Sequence, residues 1–222
     1  MRTEPAIEPF RLRLPDVVLE GELVLPPRCV GVVVFAHGSG SSRHSPRNRA
    51  VARVLEHAAI GTLLLDLLSA REDADEQAGA MRRFDVGLLA GRLVAATDAL
   101  DPHLSVGYFG ASTGAAAALV AASARPERIA AVVSRGGRPD LASTEALAGV
   151  RAPTLLLVGS RDLEVLARNR AAHRKMRCQR ELRVIEGATH LFEEAGALDE
   201  VARVARNWFL RFLAAPAARR AG

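Results

Sequence analysis

The chain reads as an α/β protein: a mostly parallel central sheet of about eight strands, flanked by helices on both faces. Continuous apolar runs of strand length recur at Val30–Ala36, Thr62–Leu65, Leu104–Phe109, Ile129–Val133 and Thr154–Val158, as in strands buried on both faces. Segments with helical spacing separate them, and such alternation implies parallel strands joined by crossover helices. The composition, 49% hydrophobic and 25% charged over 222 residues, fits one domain able to bury a full core.

The elements follow in order. Phe10–Leu14 and Val17–Leu25 read as two strands, the second ended by Pro26-Pro27. After the strand Val30–Ala36 comes a helix over Pro46–Ala59, with Pro46 suited to a helix start. Thr62–Leu65 is a buried strand ending at Asp66, and the polar, acidic Ser69–Gly79 reads as a surface loop. Met81–Leu100 is helical, Leu104–Phe109 a strand and the alanine-rich Thr113–Ala124 a helix. Ile129–Val133 is a strand, Asp140–Ala148 a short helix, and Thr154–Val158 a strand introduced by Pro153. Val165–Met176 is helical, Glu181–Ile185 a strand, and Ala197–Ala214 a final amphipathic helix carrying Trp208. Residues 1–9 and 215–222 are expected to be flexible ends of this single domain.

Bulk chemistry narrows the function classes. Aromatics make up 4%, so the core rests on Leu, Val and Ala. The net charge of +5 is almost all arginine, Lys175 being the one lysine. These arginines are scattered among acidic residues, without a basic run or interleaved stacking aromatics, which argues against nucleic acid as a partner. Two cysteines, Cys29 and Cys178, suggest neither a disulfide framework nor a zinc site. With no leader-like or membrane-length apolar run, a cytoplasmic protein with no membrane partner is expected.

In such sheets ligands bind beyond the carboxyl ends of the strands, so the chemistry is sought there. Gly110-Ala111-Ser112-Thr113-Gly114 has the form G-x-S-x-G between a strand and a helix. A sharp turn there exposes the serine, and its glycines let strand and helix approach. Ser112 is the candidate nucleophile and needs a base. Of six histidines, His190 lies in Gly187-Ala188-Thr189-His190-Leu191-Phe192, just after the last strand. His57 and His173 fall within helices, His103 precedes a strand at the wrong edge, and His44 sits in a loop. Asp162 follows Thr154–Val158 and is placed to fix the imidazole; its structural alternative is a helix cap. The order Ser112, Asp162, His190 suits a catalytic triad. Two backbone N–H groups, those of Thr113 and of Ser39 in the His37-Gly38-Ser39-Gly40 loop, are the candidate oxyanion donors. That loop lacks the Lys-Ser/Thr of a phosphate cradle. No metal or organic cofactor is required.

The HGSG loop at His37–Gly40, the GASTG turn at Gly110–Gly114, VGSRD at Val158–Asp162 and GATHLF at Gly187–Phe192 together resemble the α/β-hydrolase superfamily, and within it the dienelactone-hydrolase-like branch. The resemblance runs from about Phe10 to Phe212. It implies the α/β-hydrolase fold and hydrolysis through an acyl-enzyme. The namesake enzymes use a cysteine nucleophile; Ser112 at that position favours a serine esterase acting on an ester or thioester. Some relatives are fused to a phosphoribosyltransferase domain; within these 222 residues no such partner is expected.

Two further features bear on specificity. Ser134–Asp140 follows a strand, so Arg135 is a candidate for an anionic substrate group, alongside His37 and Gly38 as substrate contacts; pairing of Arg135 or Arg138 with Asp140 is the structural alternative. About twenty residues separate Val133 from Thr154, too few for a large lid, so an open pocket for small, soluble esters is expected. Glu193 and Glu194 stand where their charge would raise the histidine's pKa, or where they would simply begin a helix. A non-catalytic receptor on the same scaffold, an acyltransferase and a peptidase are the other functions compatible with these residues. An exposed edge strand or the final helix would suit a homodimer.

Overall fold

The structure, a computed structural model, describes residues 6–77 and 81–214. Eight strands form one sheet: β1 (Ile7–Arg13), β2 (Val18–Val24), β3 (Val32–Ala36), β4 (Gly61–Leu65), β5 (Val106–Ala111), β6 (Ile129–Arg135), β7 (Thr154–Gly159) and β8 (Arg180–Ile185). Their spatial order is β1-β2-β4-β3-β5-β6-β7-β8. β1 and β2 pair antiparallel and β2 runs antiparallel to β4, whereas all pairs from β4 to β8 are parallel. Every residue of β3, β4, β5, β6 and β7 is buried, which is why these strands read as unbroken apolar runs.

Seven helices complete the described chain: α1 (Pro46–Glu56), α2 (Ala70–Gln77), α3 (Val86–Asp98), α4 (Thr113–Ala124), α5 (Thr144–Gly149), α6 (Leu163–Lys175) and α7 (Ala197–Leu213). α1 and α7 cover one face, packing Val51, Leu55, Val201 and Phe209 against Val33, Phe35, Phe109 and Val133. α3, α4 and α5 cover the other, bringing Leu93, Leu119 and Leu147 to Val34, Tyr108 and Val132. The near-continuous alanine of α4 lets it lie close to the sheet centre, and nine of its twelve residues are buried. Tyr108, buried beneath it, shares a 2.6 Å hydrogen bond with the Thr97 hydroxyl. Among the described residues no helix is long and apolar enough to cross a membrane.

Several boundaries differ from the sequence expectation. β1 begins at Ile7, so residues 7–9 are held by pairing with β2 rather than free. Residues 1–5 and 215–222, the rest of the expected flexible ends, lie outside the described residues. Most of the expected surface loop Ser69–Gly79 is helix α2. Ser69 and Glu72 form a reciprocal cap: the Ser69 N–H donates to Glu72 Oε2 at 2.9 Å, and the Glu72 N–H to Ser69 Oγ at 3.3 Å. The expected helix Met81–Leu100 starts only at Val86, after a 3₁₀ turn over Arg82–Phe84, because Asp85 accepts from the Leu88 N–H and caps it there. The expected helix from Asp140 likewise starts at Thr144, capped by Ser143.

α2 is tied to the body of the protein by charge. Arg92, 5% exposed on α3, donates to the Leu67 carbonyl at 2.5 Å and to Glu72 Oε1 at 2.6 Å. Burial works to raise the Glu72 pKa, but the hydrogen bonds from Arg92 and Ser69 outweigh it and hold the carboxyl down at about 2. The folded pKa is below the ordinary glutamate value of 4.5, so this contribution to stability is complete above about pH 4.5 and is lost as pH falls toward 2. Glu72→Gln is therefore expected to reduce stability at pH 7 and to flatten its acid dependence below pH 4.5, read by urea unfolding at several pH values. Equal acid slopes in both proteins would contradict it.

The connection from β3 goes to β4 on one side, and the chain then crosses to β5 on the other side of β3. The carboxyl ends of β3 and β5 thus flank the point where the winding reverses, where open α/β sheets leave a crevice.

Candidate active site

Ser112 sits at the tight turn between β5 and α4 with φ 49° and ψ −121°, a positive φ that costs a serine about 1–3 kcal/mol. Neighbouring backbone holds it there. The Ser112 N–H donates to the Arg135 carbonyl at 3.2 Å, and its own carbonyl accepts from Ala115 N–H at 3.1 Å and Arg138 N–H at 3.0 Å. The flanking glycines are steric necessities. A Cβ on Gly110 would stand 2.8 Å from the Ala115 nitrogen, and one on Gly114 would overlap the carbonyl oxygens of Ala36 and His37. Gly38 completes the crowding, since a Cβ there would come within 3.1 Å of Ser112 Cβ. The HGSG loop is therefore laid directly against the serine.

Asp162 and His190 meet as the sequence predicts. Asp162 follows β7 and His190 lies in the loop after β8, and His190 Nδ1 is 2.6 Å from Asp162 Oδ2. The carboxylate is 14% exposed and the imidazole 38%. Asp162 precedes α6 but makes no side-chain capping hydrogen bond there, so its structural alternative is not realised. With Nδ1 committed to Asp162, Nε2 is the ring nitrogen left for chemistry. A Cβ on Gly136 would lie 3.5 Å from His190 Cε1. The imidazole therefore stands over the same β6 loop whose Arg135 and Arg138 backbone groups hold Ser112. Asn169, fully buried on α6, donates to the Gly137 carbonyl at 2.9 Å and fixes that loop; no motif in the sequence singled it out.

The candidate oxyanion donors differ from expectation in one respect. The Ser39 N–H, expected to be open, donates to Thr113 Oγ1 at 2.9 Å. The residue after the serine carries a hydroxyl, and it reaches across to this amide. His37 is a strut: the Leu67 N–H donates to its Nε2 at 3.0 Å, so Nδ1 is the donor to the Gly38 carbonyl at 3.0 Å. Burial lowers its pKa, in keeping with a neutral ring. Both nitrogens being engaged, His37 offers a ligand only its ring surface. A cleft lined by His37–Ser41, Thr113, Leu68, Asp73, Arg83 and Leu89 opens beside it. One of its walls thus comes from the α2 region that the sequence assigned to a surface loop.

The remaining charged candidates separate cleanly. Arg138 pairs with Asp140 at 2.8 Å, as does Arg168 at 2.6 Å. Arg135 takes no part in that cluster; it is 7% exposed, with its guanidinium carbon 5.8 Å from the centre of the Phe192 ring. Glu193 pairs with Arg47 at 3.0 Å and Glu194 accepts from the Thr189 N–H at 3.0 Å, so both acidic residues brace the histidine loop. His57 bonds back to the Arg53 carbonyl, and His44 stands 3.9 Å from Glu22, so neither joins the site.

A mostly parallel eight-stranded sheet with a strained serine turn at its winding reversal defines the α/β-hydrolase class. No family model matches the chain. Solved structures do. A dienelactone hydrolase from Anabaena variabilis is 53% identical, covering 94% of this chain and 99% of that one, with a TM-score of 0.91. The chain belongs to the dienelactone hydrolase family of α/β-hydrolases. Est1E from Butyrivibrio proteoclasticus, at 15% identity, covers 91% of this chain and 98% of its own with a TM-score of 0.76, a likeness of fold alone. Two Mycobacterium tuberculosis proteins, each provisionally named a phosphoribosyl transferase, are 52% identical over 205 residues. The match covers 90% of this chain and 45% of theirs, so the chain spans about half the length of these curated relatives.

Proposed function

We propose that this hydrolase is a serine esterase that cleaves a small, soluble carboxylic ester or thioester through an acyl-enzyme. The observation that carries this reading is the strained Ser112 turn, held by the β6 loop beneath a histidine already oriented by Asp162. In the mechanism, His190 Nε2 takes the proton as Ser112 Oγ attacks the carbonyl carbon. Asp162 stabilises the imidazolium, which then protonates the leaving alcohol or thiol. Water, activated by the same histidine, cleaves the acyl-enzyme.

The Thr113 and Ser39 N–H groups receive the oxyanion. Thr113 Oγ1 already occupies the Ser39 amide. A neutral substrate carbonyl that displaces it exchanges one ordinary hydrogen bond for another and gains little. A charged oxyanion makes bonds roughly twice as strong, so the exchange favours the transition state over the ground state. Thr113→Val removes the competing acceptor for both states alike. KM for p-nitrophenyl acetate is then expected to fall, by up to about tenfold for one neutral hydrogen bond, with kcat little changed. A lower kcat with unchanged KM would instead make the threonine hydroxyl a transition-state donor.

Steady-state hydrolysis of p-nitrophenyl esters of increasing acyl length tests the esterase reading, with hydroxylamine as a competing nucleophile to expose an acyl-enzyme. Hydrolysis falling with acyl length and hydroxamate formation from the shorter esters are expected. A folded protein with no turnover and no hydroxamate would favour a non-catalytic receptor.

A further inference from the structure

Beneath the histidine loop lies a charge with no counterpart. Arg135 ends β6, is more than nine-tenths buried, and has no hydrogen bond or ion pair to its side chain among the described residues. Its guanidinium faces the Phe192 ring, and Glu193, the next residue, holds Arg47, whose like charge is felt at Arg135. Burial, and then the like charge of Arg47, lower its pKa to about 10, still protonated at neutral pH. Arg47, in the first turn of α1, gives one nitrogen to Glu193, while its Nε is buried and unpartnered. Burying an unpaired guanidinium beside a second cation is costly, and proteins ordinarily pair such charges.

The surroundings are built to keep this arrangement. Phe192 holds φ 57°, unusual for a bulky residue, and its ring is 1% exposed against the Arg135 guanidinium. Glu193, the next residue, clasps Arg47. The first turn of α1 adds the positive end of an eleven-residue helix. The backbone of Arg135 itself accepts from the Ser112 N–H, and the following Gly136 lies under His190. The unpaired Arg135 therefore adjoins the serine centre on the face that α1 covers, with the partly paired Arg47 held there by Glu193, away from the Asp140 cluster that satisfies Arg138.

We propose that Arg135 and Arg47 form a binding site for a small oxyanion, a carboxylate or a phosphate, next to Ser112 and His190. The planar forks of the two guanidinium groups suit two oxygens of such a group, and a bound anion would neutralise the charge that the fold leaves exposed to itself. Where that anion is part of the substrate, the assignment rests on the serine-esterase reading above; anion binding as such does not.

The test measures binding first. Thermal unfolding of the wild type, Ser112→Ala and Arg135→Met is followed while sodium phosphate or sodium succinate replaces sodium chloride at constant ionic strength. The expected result is a Tm that rises with anion concentration in the wild type and in Ser112→Ala but stays flat in Arg135→Met. In chloride alone, Arg135→Met is expected to melt at or above the wild type, which the loss of a merely structural arginine would not produce. Arg47→Met, on the less buried partner, is expected to weaken the same response and serves if Arg135→Met does not fold. No anion-dependent rise in the wild type, or an equal rise in both arginine variants, overturns the site.

The second arm finds the source of the anion. The p-nitrophenyl half-ester of succinate is compared with p-nitrophenyl acetate. If the anion belongs to the substrate, the ratio of kcat/KM for the charged over the neutral ester falls about tenfold or more in both arginine variants. An unchanged ratio, with anion-dependent Tm still lost in the variants, assigns the site to a free anion. Anion binding in a wild type that hydrolyses neither ester would remove the esterase reading and leave the anion site standing.

Discussion

Replacing Ser112 by alanine is expected to lower kcat for p-nitrophenyl acetate by about four to six orders of magnitude, as when a triad nucleophile is removed elsewhere. The loss should be chemical and not structural. Ser112 is held by its backbone N–H and carbonyl, through bonds to Arg135, Ala115 and Arg138 that alanine keeps. Alanine also suffers the positive φ no worse than serine in kind, so Tm should change little. The residual rate should come from the oxyanion donors and binding alone. Steady-state kinetics beside a melting curve checks both halves. Retention of most of the activity would mean that another group makes the attack.

Gly114→Ala is expected to destabilise the fold by about 3 kcal/mol or more, the upper range for overpacking. Its new Cβ would overlap the carbonyl oxygens of Ala36 and His37, and backbone oxygens at the end of the central strand β3 cannot swing aside as a side chain can. Relief requires α4 to lift from the sheet or the HGSG loop to withdraw from Ser112, so activity should fall with stability. Gly91→Ala is the matched control. Gly91 lies in α3, and a Cβ there meets nothing within 4 Å. That change should stabilise by up to about 1 kcal/mol through helix propensity. Urea unfolding of both variants separates the steric effect from the substitution itself. Equal ΔΔG values would contradict the close approach at Gly114.

The central strands β3 to β7 were legible because each is buried on both faces and so writes itself as an unbroken apolar run, as in Val32–Ala36 and Thr154–Gly159. The largely polar β8 before His190 was marked instead by its place in the strand–helix alternation. Strand ends were then enough to bring Asp162 and His190 together, since parallel strands align their carboxyl ends along one edge. Helix starts were less legible. Asp85 and Ser143 each cap a helix later than the apolar pattern suggested, and the Ser69–Glu72 spacing that begins α2 lay inside a stretch whose acidity read as loop. The interactions that sequence could not supply are side chains meeting across the fold. Thr113 reaching the Ser39 amide depends on the height of one loop over another. Arg135 meeting Phe192 rather than Asp140 depends on which face of β6 it leaves, and Arg138 takes the carboxylate.

Labelling the folded protein with a fluorophosphonate, followed by peptide mass spectrometry, shows whether Ser112 is the nucleophile of an acyl-transfer centre. One adduct per chain is expected, on Ser112, lost in Ser112→Ala and strongly slowed in His190→Ala. A folded protein that stays unlabelled, or an adduct on any other residue, would contradict that role.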